Sequence, residues 1–304
     1  MNDALQKSLD EIRKLGEIIV STHSSEVAIV RKKETQAQNV VSQIRSVSFE
    51  NLSFDLQSTI DTKLGTVGGC TLLPDGRMLF SCFSNNLIRE FNTDGSQDFD
   101  ISIQPNAAFD ITYIDDNNTI AATGGNYKCI SIIDVESRKV KETIPVGFYN
   151  HGIVSRNNTL IYCTADRGIQ MINMSDKSVS TIVTREMSRF AYITAFGDKL
   201  YYTNYDKHTV TCCDFHGTIQ WELNDTSILR SPLGISVDNA GNVYVVGSRS
   251  KSCIVFSPDG QRHRQLLFNK DGLSNPRALY YDRPTNQLLV ANEVGGKVLL
   301  YRLE

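Results

Sequence analysis

Five histidines (His23, His151, His208, His216 and His263) and seven cysteines carry the richest ligand and nucleophile chemistry in this 304-residue chain. A zinc site needs such residues at short paired spacings, four of them or three plus water. No Cys-x-x-Cys pair or Cys/His cluster has that spacing, and the adjacent Cys212 and Cys213 point to opposite faces of any strand they share. An odd cysteine count, with Cys82, Cys129, Cys163 and Cys253 inside strand-like runs, fits reduced buried thiols of a cytoplasmic protein better than disulfides. There is no nucleophile elbow and no phosphate-binding glycine loop. What remains is His151 with Asp110. One imidazole and one carboxylate are too few for a metal site, so the expectation is an imidazole bonded to loop backbone and no cofactor.

What positions these side chains is a repeat. "GISVDNAGNVYVVGS" (234–248) alternates apolar and polar residues around Asn239-Ala240-Gly241-Asn242, which predicts a hairpin. Counterparts begin at Gly69, Phe109, His151, Tyr192 and Ala278, and a third strand follows each hairpin. The third strands end at Phe91, Ile133, Ile172, Cys213, Phe256 and Tyr301, spaced by 42, 39, 41, 43 and 45 residues. A fourth strand follows five of the six. The sixth is completed by "NLSFDLQST" (51–59), which closes the ring and removes two sheet edges at once. The fold class is therefore all-β, a six-bladed β-propeller over 49–304.

Residues 1–48 read differently. Leu5, Leu9, Ile12 and Ile19 form an apolar seam between charged residues, and 26–44 is polar-rich enough to be helical too. The expectation is a short helical stalk, the end of a coiled coil, through which the chain could oligomerise. With 31 Lys and Arg against 34 Asp and Glu the net charge is −3, which offers no global attraction to DNA or membrane. No apolar run approaches the ~20 residues of a bilayer span.

Pro232, Gly234, Val237, Asp238, Gly241, Asn242, Tyr244, Val245, Phe256 and Asp259-Gly260 resemble the NHL repeat. The fifth unit matches well, the first and sixth in part, and the second to fourth in outline; Gly247 and Ser248 replace the Asp and Asn usual after the second strand. A helical "LQKSLDEIRKLGEIIVST" leading into such a ring, with "LPDGRMLF", "FNTDGS" and "SPDGQRHRQLL", resembles the C-terminal region of tripartite-motif proteins. In that family a RING and a B-box precede the coiled coil; this sequence contains neither. The resemblance implies the substrate-recognition end of a ubiquitin ligase, without ligase activity of its own.

Connectivity sorts the loops. Turns between first and second strands and between third and fourth strands share one face, called the lower face below. Its Asp75, Asp94, Asp115, Asp116, Asp176, Asp198 and Asp259 read as turn formers. The upper face collects the loops between second and third strands, with Lys128, Arg167, Lys207, Arg249 and Lys251, and the blade-to-blade connections. Phe109, His151, Leu233 and Arg277 just precede first strands and are expected around the channel mouth, with Arg277 and Arg249 exposed. That mixture anchors a protein partner, or alternatively single-stranded RNA; a propeller hydrolase or lyase is the third reading.

Overall fold

The computed structural model describes residues 18–23, 26–31, 48–114 and 118–304. The chain divides into two compact units, Met1–Arg45 and Ser46–Glu304. In the first, Ile18–His23 and Glu26–Arg31 pair antiparallel, with Ile18 opposite Arg31. This corrects the helical reading of the stalk over those residues. Ile18-Ile19-Val20 and Val27-Ala28-Ile29-Val30 are rich in β-branched side chains, which lose rotamer freedom in a helix and fit a strand. The rest of the expected stalk, including any coiled coil, lies outside the described residues, as do Asp115 and Asp116.

The second unit is six four-stranded antiparallel sheets, the blades of a propeller. The inner strands are Cys70–Leu72, Ile111–Ile114, Asn150–Arg156, Ile193–Phe196, Pro232–Val237 and Pro276–Asp282, each against the next and the last against the first. Blade five shows why these segments fold locally. Asp238, buried in the hairpin turn, accepts the N–H groups of Ala240 (2.9 Å) and Asn242 (2.8 Å), the Asn242 side-chain amide (2.8 Å) and the Tyr244 hydroxyl (2.9 Å). Gly241 supplies the left-handed residue the turn requires, at φ +84°. Tyr244 then stacks on Tyr281 of blade six, centroids 5.5 Å apart, so the turn's carboxylate also fixes a contact between blades.

Ring closure falls on Phe54–Asp61, which pairs antiparallel with Lys297–Leu303 from Asp61 opposite Lys297 to Phe54 opposite Leu303. The strand lies further along the chain than the expected 51–59, because Phe49–Asn51 forms a 3₁₀ turn that buries Phe49 and Leu52 in the core shared with blade five. Ser53 and Glu304 exchange backbone hydrogen bonds at the end of the pair (3.0 and 3.4 Å).

The inner strands pack close. A Cβ on Gly152 would lie 2.5 Å from the Tyr192 Cα, and one on Gly234 2.5 Å from the Leu279 nitrogen. Glycine there lets neighbouring blades meet backbone to backbone, and Gly152 N–H donates to the Ala191 carbonyl across the gap at 2.9 Å.

The lower face is self-satisfied. Asp75, Asp94, Asp176 and Asp259 each accept a backbone N–H two residues on (2.8–3.1 Å), as turn formers do. Below blades one and two, Glu90, 1% exposed, is held by Arg77 and Arg138.

Closure and the Phe49–Leu52 plug should dominate ring stability. Removing residues 1–45 should leave the melting transition of the ring in place, whereas removing 1–61 should lower it by roughly 10 °C or more, or cause aggregation. Calorimetry with light scattering distinguishes the two, and equal transitions would refute the shared sixth blade.

Candidate functional site

Three of the inner strands enter the ring through a β-bulge, with register shifts between Asn150 and Ile153, Pro232 and Ile235, and Pro276 and Ala278. A bulge re-aims the side chain it carries. The residues inside these bulges include His151, Leu233 and Arg277, three of the four expected at the channel mouth.

The structure brings His151, Phe109 and Arg277 together around an upper cavity of about 350 Å³, with Phe83, Arg189, Phe190 and Glu293. Leu233 is not among them. It is buried in the core cluster with Val245 and Ile254, and belongs to packing. Arg277 is also corrected: it is 9% exposed, not a surface cation. Its Nε donates to the Tyr192 hydroxyl at 3.1 Å, its Nη1 pairs with Glu293, and its guanidinium lies over Phe109 (5.0 Å) and Phe190 (5.4 Å). Tyr192 in turn donates to the Gly68 carbonyl on the far side of the ring. Together these residues form a plug. A second cavity of about 320 Å³ lies on its other side, lined by Asp110, Thr112, Ser155, Thr194, Ser236 and Arg283 among others.

His151 packs edge-on to Phe109, centroids 5.1 Å apart, and is 3% exposed. Neither ring nitrogen has a hydrogen-bond partner, contrary to the backbone bond expected. That role falls to His208, whose Nδ1 accepts the Ser231 N–H at 3.0 Å. Burial, with Arg189 and Arg277 nearby, pushes the His151 imidazole down to about 4, so it is neutral at physiological pH. Asp110 is pushed up to about 7 by burial, opposed by the Ile153 and Ile111 N–H groups and by Arg277. Among the described residues no three His, Cys, Asp or Glu side chains gather as a metal-ligand set. All seven cysteines are free and buried.

Around the cavity, the upper face pairs cations with rings. Lys128 lies over Tyr149 (5.1 Å), Arg167 over Phe148 (5.0 Å), Arg189 over Tyr149 (5.5 Å) and Arg249 over Tyr205 (5.8 Å). Lys207 and Lys251 are exposed in the same tier of loops. Tyr127, Phe190, Phe268 and Val294 are exposed on this face as well.

No known protein-family profile and no curated protein matches the sequence. Solved structures do. A Bacteroides thetaiotaomicron protein of unknown function superimposes with TM-score 0.68 at 11% identity, covering 83% of this chain and 76% of its own. Virginiamycin B lyase from Staphylococcus aureus gives 0.63 at 14% identity, over 83% of this chain and 100% of the lyase. A chain of a nidogen/laminin complex gives 0.61 at 15%, over 70% and 84%. At such identities the likeness is one of fold.

Sequence reasoning missed Tyr192 and Arg283. Tyr192 reads as an ordinary strand residue, and nothing in its neighbourhood signals a bond across the ring. Arg283 sits in the hairpin turn of blade six and spans the lower mouth, donating to the carbonyls of Val237 (3.1 Å) and Ala195 (2.9 Å). Its position beside Pro284 marked only a turn.

His151 and Asp110 bias stability in opposite directions. His151 titrates near 4 when folded and 6.5 when unfolded, so the unfolded chain binds the extra proton and stability falls as pH drops between those values. Asp110, near 7 when folded and 3.8 unfolded, keeps its proton longer in the folded chain, so its contribution grows as pH falls through 7. Each effect amounts to about 3 to 4 kcal/mol at most, and they offset one another. Relative to the parent chain, Asp110→Asn should therefore lose more stability between neutral pH and pH 4, and His151→Phe less. Denaturant titrations across that range check the signs.

Proposed function

We propose that this propeller is a non-catalytic recognition module whose upper face binds a protein partner. The observation that carries this reading is the exposure of Tyr127, Phe190, Phe268 and Val294 on one face around the cavity, opposite a face whose turn carboxylates cap their own backbone. Aromatic and Arg side chains dominate binding energy at protein interfaces. RNA fits less well. The rings of Phe148, Tyr149 and Tyr205 already carry cations, which occupies faces that bases would stack on, and Asp166, Glu186, Asp206 and Glu293 interrupt any phosphate track. A catalytic reading lacks support: His151 has neither a carboxylate to orient it nor a hydroxyl to deprotonate. By its resemblance to tripartite-motif proteins, the module would act in the cytoplasm as the partner-recognition part of a ubiquitin ligase, with no cofactor.

The full chain, immobilised and exposed to cell lysate, tests the face. Arg167→Glu combined with Arg249→Glu should abolish most specific protein capture without lowering the melting temperature, and RNase should change nothing. Lys139→Glu with Lys177→Glu, on the lower side, should leave capture intact. Arg77 and Arg138 are unsuitable controls because they neutralise buried Glu90, and reversing them would unfold that edge. Capture lost with the lower pair and kept with the upper would overturn the reading.

A further inference from the structure

We propose that the upper cavity is a carboxylate subsite, taking one Asp or Glu side chain of the partner protein between His151, Arg189 and Arg277. The proposal rests on the upper face being the recognition surface.

His151 supplies the first observation. Buried polar atoms are almost always paired, and an orphan asks for an explanation. Here both nitrogens of a 97%-buried ring are unpaired, on a side chain that a bulge places in the cavity wall. A neutral imidazole offers one N–H and one lone pair; a protonated one offers two N–H groups. No group among the described residues meets them.

Charge decides which ligand. Arg277 spends Nε on Tyr192 and Nη1 on Glu293, and the other Glu293 oxygen accepts from the Asn275 amide at 3.2 Å. Arg189 has no carboxylate partner among the described residues, and its guanidinium lies over the Tyr149 ring. Two guanidiniums thus share one carboxylate within the cavity, which leaves a positive charge uncompensated. Asp110, on the far side of the plug and pushed up to about 7, compensates only in part at neutral pH. A cationic ligand would face Arg189 and Arg277 directly, so the aromatic walls are not a cage for lysine or quaternary ammonium. An anion is favoured.

Size and walls narrow it further. Phe83, Phe109 and Phe190 accept a short hydrocarbon stem, while Ser84 and Asn126 stand at the rim. About 350 Å³ holds one acidic side chain with its peptide backbone at the mouth. An incoming carboxylate would meet the exposed Arg189 fork, the charge-assisted arrangement that makes such contacts strong, and would accept the His151 N–H, closed off in the free protein, as the ring turns toward the cavity. It would also raise the imidazole's proton affinity, so binding takes up a proton and tightens as pH falls below neutral. The groups facing His151 in this linkage are Arg189, Arg277, Glu293 and Asp110, and Asp110 protonation acts in the same direction by removing a competing negative charge.

The test uses the full chain labelled with nitrogen-15 in its five histidine rings, with the His151 resonance assigned by its loss in His151→Phe. The probes are acetyl-Gly-Glu-Gly-amide, its Gln analogue, free glutarate and an oligouridylate. The Glu peptide should displace the His151 signal saturably in the millimolar range and leave His208 unmoved, since His208 is bonded to backbone. The Gln peptide should bind about tenfold more weakly, and Arg189→Gln, an exposed position, should weaken the Glu peptide by a similar factor. Equal response to Glu and Gln peptides, or no response of His151 to the Glu peptide, overturns the subsite. Saturation by oligouridylate alone overturns it in favour of nucleic acid, and saturation by glutarate but not the peptide in favour of a free small acid. The capture experiment above reads the face independently: loss of capture in Arg167→Glu/Arg249→Glu with a silent His151 defeats the subsite and spares the face, whereas capture unaffected by that pair defeats the face itself.

Discussion

A guanidinium withdrawn from water into the middle of a ring must be met on every side, or the ring opens to let water back. Arg277 is that group. Taking such an ion out of solvent costs several kcal/mol unless its donors are used and its charge is balanced. The ring meets this with a hydroxyl from blade four, a carboxylate from the blade-six loop, and the faces of Phe109 and Phe190. Gly152 lets the neighbouring inner strands close to backbone contact at Tyr192, whose hydroxyl meets Arg277 and bonds the Gly68 carbonyl of the opposite blade. The channel is consequently two cavities separated by a polar plug. Without the plug the upper cavity would have no floor, and His151 no dry wall to stand against.

The two faces divide the work. On the lower face, Asp side chains are consumed by their own turns, Glu90 by two arginines, and Arg283 by carbonyls of two other blades. Polar groups there are spent on holding the blades in register. On the upper face Arg185 and Arg277 pair with Glu222 and Glu293, while Lys128, Arg167, Arg189 and Arg249 lie against rings and make no ion pair among the described residues. The opposed titrations of His151 and Asp110 have one cause, since burial on either side of one charged residue disfavours the charged form of each.

The blades were legible because alternation, turn residues and a forty-residue period all point the same way. Their arrangement also predicted that Phe109, His151 and Arg277 converge, since residues at one repeat position share one level of the ring. Leu233 occupies that same position but is buried in the core cluster that also holds Val245 and Ile254, as its apolar side chain permits. The burial of Arg277 was illegible for a related reason: its partners, Tyr192 and Glu293, come from different blades or loops, and no spacing rule connects them. The closing strand was recognisable by its pattern but not its register, because Phe49 and Leu52 are apolar for the sake of a 3₁₀ turn that extends the same run. In the N-terminal unit, charge pattern suggested helix where β-branched residues made a hairpin.

The clasp of the ring has a mechanical direction. Phe54–Asp61 and Lys297–Leu303 run antiparallel, and Ser53 and Glu304 leave from the same end of the pair. A force drawn across Ser53 and Glu304 therefore peels the strands apart one hydrogen bond at a time, beginning with the bonds those two residues exchange. A force on Ser53 directed along the strand, against the body of the ring, loads the whole row together in shear. The clasp is thus weak against tension between Ser53 and Glu304 and strong against tension along the paired strands.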